Sequence, residues 1–253
     1  MLNKQIPMKP QYAYHSELLV HSIFKTIQGE GIFAGEPCVF VRLGGCNLQC
    51  PACDTEYSLG SKPMRPVSIL EQIKAFMPLK ATLVVITGGE PMRQTIGPLI
   101  AMINEAGYRV QIETNGTLFD PTIDFSTGKV FIMCSPKTGA VNKKLQPHIT
   151  AYKYVGGCDE TAVDSYLSHL DGRGVVLEDH GLMEDGLPRQ ALGHLAKPHL
   201  ARPHAGFKGK VFLQPIDRQH DELNLAHQLA VVKSCLDNGY TLCLQIHKII
   251  NVE

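Results

Sequence analysis

The chain has no surplus of charge in either direction, because 24 lysines and arginines meet 24 aspartates and glutamates and the pI is about 7.2. A nucleic-acid binder ordinarily carries a basic patch, arm or tail, and none stands out. No apolar run approaches the ~20 residues that a membrane span requires; the stretch at 83–86 is among the longest. Residues 1–14 contain no apolar h-region of the secretory kind. The eight cysteines are therefore expected as thiols of a soluble, cytoplasmic protein. No internal repeat is present. A chain of 253 residues can bury a sizeable core, expected here as a single domain over 1–253.

What is present is Gly44-Gly45-Cys46-Asn47-Leu48-Gln49-Cys50-Pro51-Ala52-Cys53-Asp54-Thr55, with three cysteines spaced C-x3-C-x2-C. Thiolates this close on a loop suit one soft metal centre, and iron–sulfur clusters are ordinarily held by four of them. No fourth cysteine lies nearby. Three protein ligands leave one corner of a cubane open, as a catalytic zinc keeps an open position where a structural zinc does not. The competing reading is a structural zinc, which commonly takes two spaced pairs of ligands. The chain has no second C-x2-C and no H-x3-5-H at finger spacing, although one of its 11 histidines could complete such a site from a distance.

Around this loop the chain alternates strand and helix. A first strand over 17–24 runs into Lys25-Thr26-Ile27-Gln28-Gly29-Glu30-Gly31, where two glycines suit a tight loop. Residues 38–43 (CVFVRL) read as a buried strand that delivers the cysteine loop at its carboxyl end. Cys38 has the look of a small core residue, and Arg42 needs a partner, either a structural carboxylate or a bound one. Ser68 and Glu71 have capping-box form before a helix. A strand over 82–87 ends in Gly88-Gly89-Glu90-Pro91, where Glu90 could accept from the ammonium of a bound amino acid. A helix over 96–106 is stopped by Gly107, and a strand over 109–114 meets the turn signal Asn115-Gly116. Strands are expected at 130–135, 151–155, 210–214 and 240–247, with helices over 160–169 and from Asp221, as its cap, to Asn238-Gly239. Residues 172–210, holding His180, His194, His199 and His204 among many Gly and Pro, read as an irregular insertion. Alternating strand and helix with short loops implies parallel strands, hence an open or closed α/β barrel with chemistry on the loops at strand carboxyl ends.

The C-x3-C-x2-C loop followed by a strand ending in TGGEP resembles the radical S-adenosylmethionine superfamily. Further stretches narrow the resemblance to the 7-carboxy-7-deazaguanine synthase family: TIQGEG at 26–31, FVRLGGCNLQCPACDT at 40–55, ETNGT at 113–117, SPK at 135–137, LQPID at 213–217 and LQIHK at 244–248. The resemblance implies a partial, open TIM-like radical SAM barrel, a 4Fe-4S cluster, S-adenosyl-L-methionine and Mg2+. It implies a lyase that contracts the ring of 6-carboxy-5,6,7,8-tetrahydropterin to 7-carboxy-7-deazaguanine with loss of ammonia, in 7-deazapurine (queuosine-type) biosynthesis.

Carried over position by position, the resemblance gives Cys46, Cys50 and Cys53 to the cluster and Thr55 to magnesium. It sets the cofactor against Ala52, Cys53, Asp54, Gly89, Ser135, Pro136, Lys137, Gln214, Pro215, Ile216 and Asp217. Substrate falls to Ile27, Gln28, Gly29, Arg42, Thr87 and the terminal Glu253, with no catalytic residue beyond the cofactor radical. It also implies a homodimer and an electron donor such as flavodoxin. A small radical SAM activase acting on a protein, and a non-catalytic zinc-binding module, are the rival readings; the QGEG loop with Arg42 and the QIHK stretch separate the first of these.

Overall fold

The structure is a computed structural model, and it describes residues 3–12, 17–50, 53, 55–77, 82–158, 187 and 200–252. The expected helix over 160–169 lies outside the described residues, as do Ala52, Asp54, Glu253 and most of the 172–210 insertion.

The described strands are β1 (Leu18–Ile27), β2 (Pro37–Leu43), β3 (Lys62–Met64), β4 (Leu83–Gly88), β5 (Arg109–Thr114), β6 (Val130–Cys134), β7 (Ile149–Gly156), β8 (Lys210–Pro215) and β9 (Thr241–Leu242). They form one sheet in the order β3-β1-β2-β4-β5-β6-β7-β8-β9. From β2 through β4 to β9 every neighbouring pair is parallel. β1 and β3 are the exceptions: β1 is antiparallel to β2 and β3 antiparallel to β1. The loop at 28–36 between β1 and β2 is too short for a parallel crossover, so the chain reverses there. With β3 at one edge and β9 at the other, the sheet is open, as expected.

Helix α1 (Pro66–Phe76) begins two residues before the expected capping box. Pro66 presets the helical φ at the first position, Arg65 is the N-cap, and no side chain caps the end, so Ser68 lies inside the first turn. Helix α2 (Gly97–Glu105) stops as the sequence indicates. Gly107 at φ +93° lets Tyr108 N donate to Ile103 O at 3.2 Å and Gly107 N to Asn104 O at 3.1 Å, the paired bonds of a Schellman end. Helix α3 (Asp221–Asn238) has His220 at its N-cap position without a side-chain capping bond, and Asp221, the expected cap, lies one residue inside, where its charge favours the helix dipole. The last expected strand is cut short. Only Thr241–Leu242 pair with β8, and the chain then turns inward into a single helical turn, α4 (Ile246–Ile249).

Alternation along the strands divides the sheet into two faces. Val39, Val41 and Leu43, Val84 and Ile86, Val110 and Ile112, Tyr152 and Tyr154 point to the helices and make the main core with Ile69, Ile73, Leu99 and Ile103. The opposite face carries Arg42, Thr87, Glu113, Met133 and Lys153. Among the described residues no helix is long and apolar enough to cross a membrane.

Candidate active site

The described residues of the 44–57 stretch, 44–50, 53 and 55–57, form no helix or strand after β2, so many of their polar backbone groups are met from elsewhere. Gly45 N donates to Tyr57 O at 2.9 Å and closes the base of the loop. Arg93, fully buried, donates from Nη2 to Gly44 O at 2.9 Å. Asn47 Nδ2 donates to Thr117 Oγ1 at 2.9 Å and Asn47 Oδ1 accepts from Asn115 Nδ2 at 3.0 Å. The turn after β5 therefore does more than reverse the chain: Asn115-Gly116-Thr117 grips the residue beside the first cysteine.

The TGGEP segment packs beneath the same loop. Gly88 has φ +133°, and a Cβ on Gly89 would lie 2.2 Å from Gly45 O, so a side chain at 89 would push the cysteine loop away. Glu90 N donates to Gly45 O at 3.0 Å. The Glu90 side chain is fully buried, does not border the cavity described below and takes three hydrogen bonds: Met92 N at 3.0 Å and Thr114 Oγ1 at 2.8 Å donate to Oε1, and Asn115 N at 2.7 Å donates to Oε2. This corrects the expectation that Glu90 meets a ligand's ammonium; it ties the ends of β4 and β5 together.

Burial pushes the Glu90 carboxyl up to about 7, its three donors pulling the other way. A carboxyl raised in the fold contributes stability that is complete below its ordinary 4.5 and is lost as pH climbs through about 7. Between pH 4.5 and 8 the stability of the wild-type chain relative to Glu90→Gln is expected to fall by on the order of 3 kcal/mol. Denaturant titrations at a series of pH values measure it, and parallel pH profiles for the two proteins would refute it.

A cavity of about 230 Å3 opens at the carboxyl edge of the sheet. Cys46, Cys50, Cys53 and Thr55 border it, as do Thr87, Gly89, Ser135, Pro136, Lys137, Gln214, Pro215, Ile216 and Asp217. They come from the carboxyl ends of four strands, β2, β4, β6 and β8, which the parallel sheet brings to one rim. Ile27, Gln28, Gly29 and Arg42 do not border the cavity and stand one layer back. Gln28 Nε2 donates to Glu113 Oε1 at 3.1 Å, and Glu113 does border it. Gly29 O accepts from Ile246 N at 3.1 Å, and a Cβ at 29 would meet His247 Nδ1 at 1.9 Å. Arg42 is beside Thr87 in the β2–β4 register, its guanidinium 5.4 Å from the Phe24 ring centroid and its Nε buried without a hydrogen-bond partner.

Several cavity residues escaped the sequence reading. Glu113 accepts from Thr87 Oγ1 at 3.0 Å and from Gln111 Nε2 at 3.1 Å. Lys153 pairs with Glu30, and Glu30 Oε1 accepts from Gln245 Nε2 at 2.8 Å. The available signal was a charged residue at an inward position of an apolar strand, Glu113 in RVQIET and Lys153 in ITAYKYVG.

The donor set fits an iron–sulfur cluster. Burial pushes the Cys46 thiol up to about 12, against a hydrogen bond from Leu48 N at 3.4 Å. Burial likewise raises Cys50, with Lys137 opposing. Bound metal replaces those protons. Among the described residues no three His, Cys, Asp or Glu side chains are grouped as ligands of one metal ion; the three thiols border one cavity.

A model of the radical SAM superfamily matches residues 40–127. The 7-carboxy-7-deazaguanine synthase of Rhodospirillum rubrum is 40% identical over 245 residues, covering 93% of this chain and 92% of that one. That of Rickettsia prowazekii is 36% identical over 248 residues, covering 94% and 90%. The crystal structure of QueE from Escherichia coli superposes with a TM-score of 0.60 at 23% identity over 91% of this chain and 95% of that one, and so shares its fold. With an open, largely parallel sheet, three thiols on one cavity rim and relatives matched nearly end to end, the chain belongs to the 7-carboxy-7-deazaguanine synthase family of radical SAM enzymes.

Proposed function

We propose that this chain converts 6-carboxy-5,6,7,8-tetrahydropterin to 7-carboxy-7-deazaguanine, the product for which its relatives are named. The observation that carries the reading is the meeting, on one cavity, of the cysteine triad with every described residue expected at the cofactor. When bound, the 4Fe-4S cluster and S-adenosylmethionine supply the radical that removes hydrogen from C6 of the pterin, chemistry that belongs to the cofactor. The protein's share is to hold thiolates, orient substrate and keep water out.

Cys46, Cys50 and Cys53 would hold the cluster. Gly89, Ser135 to Lys137 and Gln214 to Asp217, which border the same cavity, are assigned to the cofactor. Thr55 is assigned to Mg2+, which takes few protein oxygens and completes its shell from substrate and water. Ile27, Gln28, Gly29, Thr87 and Glu253 are assigned to the pterin. Arg42 is assigned to its carboxylate, because a guanidinium with a buried, unpaired Nε is suited to a bidentate anion. A homodimer, an electron donor such as flavodoxin and a cytoplasmic setting complete the proposal.

Anaerobically reconstituted protein is expected to release 5′-deoxyadenosine and form the deazapurine from the carboxypterin alone; release without product would overturn the substrate assignment. Arg42→Ala is expected to raise KM for the pterin about 100-fold, the cost of one lost charge-assisted pair, at unchanged iron content. An unchanged KM would remove Arg42 from the substrate site.

A further inference from the structure

Residues 3–12 (NKQIPMKPQY) are mostly polar and carry two prolines, and the reaction assigns them nothing. In the structure they lie along the cysteine loop. Asn3 Nδ2 donates to Cys50 O at 3.1 Å and to Tyr57 Oη at 3.4 Å, and Asn3 O accepts from Gln49 Nε2 at 3.3 Å. Gln5 reaches the far side of the loop with both ends of its amide: Nε2 donates to Thr55 O at 2.9 Å and Oε1 accepts from Tyr57 N at 2.8 Å. Met8 N donates to Cys46 O at 2.7 Å. Farther on, Gln11 N donates to Arg93 O at 2.7 Å and Lys9 O accepts from Arg93 Nη1 at 3.3 Å, so the segment is fastened to the same arginine that holds Gly44.

The bonded atoms are telling. Two of the three ligand cysteines, Cys46 and Cys50, and the expected magnesium ligand Thr55 each give their main-chain carbonyl to this segment. Within the loop Cys50 O also accepts from Cys53 N at 3.1 Å and Thr55 O from Cys53 Sγ at 3.6 Å; the strap adds the amide donors that a neighbouring strand would have supplied. Gln5 imitates a β-partner, donor and acceptor together, across Thr55 and Tyr57.

We propose that Asn3, Gln5 and the Met8 backbone are positioning groups for the cluster, holding the loop with its thiols toward the cavity before metal arrives. The inference rests on the cysteine triad being the cluster site. Asn3 and Gln5 touch no reacting atom; they act through Cys50 and Thr55. Gln5 separates the two ends of the device, because Gln5→Glu keeps an acceptor for Tyr57 N yet sets a carboxylate against Thr55 O.

The test uses the full chain with Asn3→Ala/Gln5→Ala and, separately, Gln5→Glu. In the metal-free proteins, iodoacetamide alkylation of the three cysteines is followed by mass spectrometry. In the reconstituted proteins, iron release to a ferrous chelator is timed without oxygen. The double variant is expected to be alkylated at Cys50 and Cys53, and to release iron, about tenfold faster than the parent, with Tm nearly unchanged because the strap lies outside the core. Gln5→Glu is expected to speed alkylation of Cys53 and leave Cys50, held by Asn3, at the parental rate. Parental alkylation and iron-release rates in the double variant would overturn the proposal, as would faster rates that merely follow a collapsed Tm. If the parent itself takes up no iron, the cluster reading falls, and the alkylation arm still judges the strap.

Discussion

Cys50→Ala is expected to bind almost no iron after anaerobic reconstitution, to lack the brown colour of the parent and to release no detectable 5′-deoxyadenosine. The site has little in reserve. Among the described residues the cavity is bordered by Cys46, Cys50 and Cys53, and the remaining described thiols lie elsewhere: Cys38 and Cys134 inside the sheet, Cys235 on α3, Cys158 after β7 and Cys243 beneath the last turn. With three proposed ligands for a cluster that ordinarily takes four, the loss of one would leave two, and no other described cysteine borders the cavity to substitute. Iron per chain and deoxyadenosine release measure the two consequences separately.

Cys38→Ala serves as the matched control. Cys38 is fully buried, burial pushes its thiol up to about 12, and its Sγ contacts Thr26 O at 3.7 Å. A thiol so desolvated is a core residue, so Cys38→Ala should retain iron and turnover. Cys50→Ala that kept either iron or cofactor cleavage would mean that the triad is not the cluster site.

Much of this arrangement could be read from the chain because the relevant signals are local. CVFVRL and LVVITG are short apolar runs ending in glycine-rich loops, and parallel strands then place both loops at the same edge. Local signals also misled. Ser68 and Glu71 satisfied a capping pattern, but Pro66 had already started the helix. The apolar content of 240–247 suggested a full strand, although Gln245 and Ile246 leave the sheet to bond Glu30 and Gly29. What no pattern carried were the contacts between distant positions. Gln5 to Thr55 spans 50 positions and Lys153 to Glu30 spans 123, and a single polar side chain has no period. Glu90 lay between these cases: its place in the motif was plain, but only the structure shows that its oxygens are already taken by Met92, Thr114 and Asn115.

Lys153→Met is expected to cost about 3–5 kcal/mol of stability and to lower turnover about 100-fold. Lys153 and Glu30 are only 14% and 13% exposed, so removing the cation strands a carboxylate in the interior. In the parent, burial would raise Glu30, but Lys153 and the amide of Gln245 hold it below its ordinary 4.5. Burial would likewise lower Lys153, whereas Glu30, with Glu113 and Cys243, raises it above its ordinary 10.5. The carboxylate's contribution is present above pH 4.5 and lost as pH falls through its depressed value; the ammonium's is present below pH 10.5 and lost as pH rises through its raised one. The pair is therefore insensitive to pH across the neutral range. In Lys153→Met, burial acts on Glu30 without its cation, its carboxyl rises above 4.5, and the variant should gain stability on acidification from pH 8 to 5.5, a slope this site does not give the parent. Glu30→Gln/Lys153→Met removes the stranded charge and should recover most of the loss, which a double-mutant cycle reads directly. The activity loss has a separate cause: Lys153 borders the cavity, and through Glu30 it holds Gln245 and the final turn against the QGEG loop. A Met variant with the parent's stability and pH profile would show that the pair does not hold the barrel interior together.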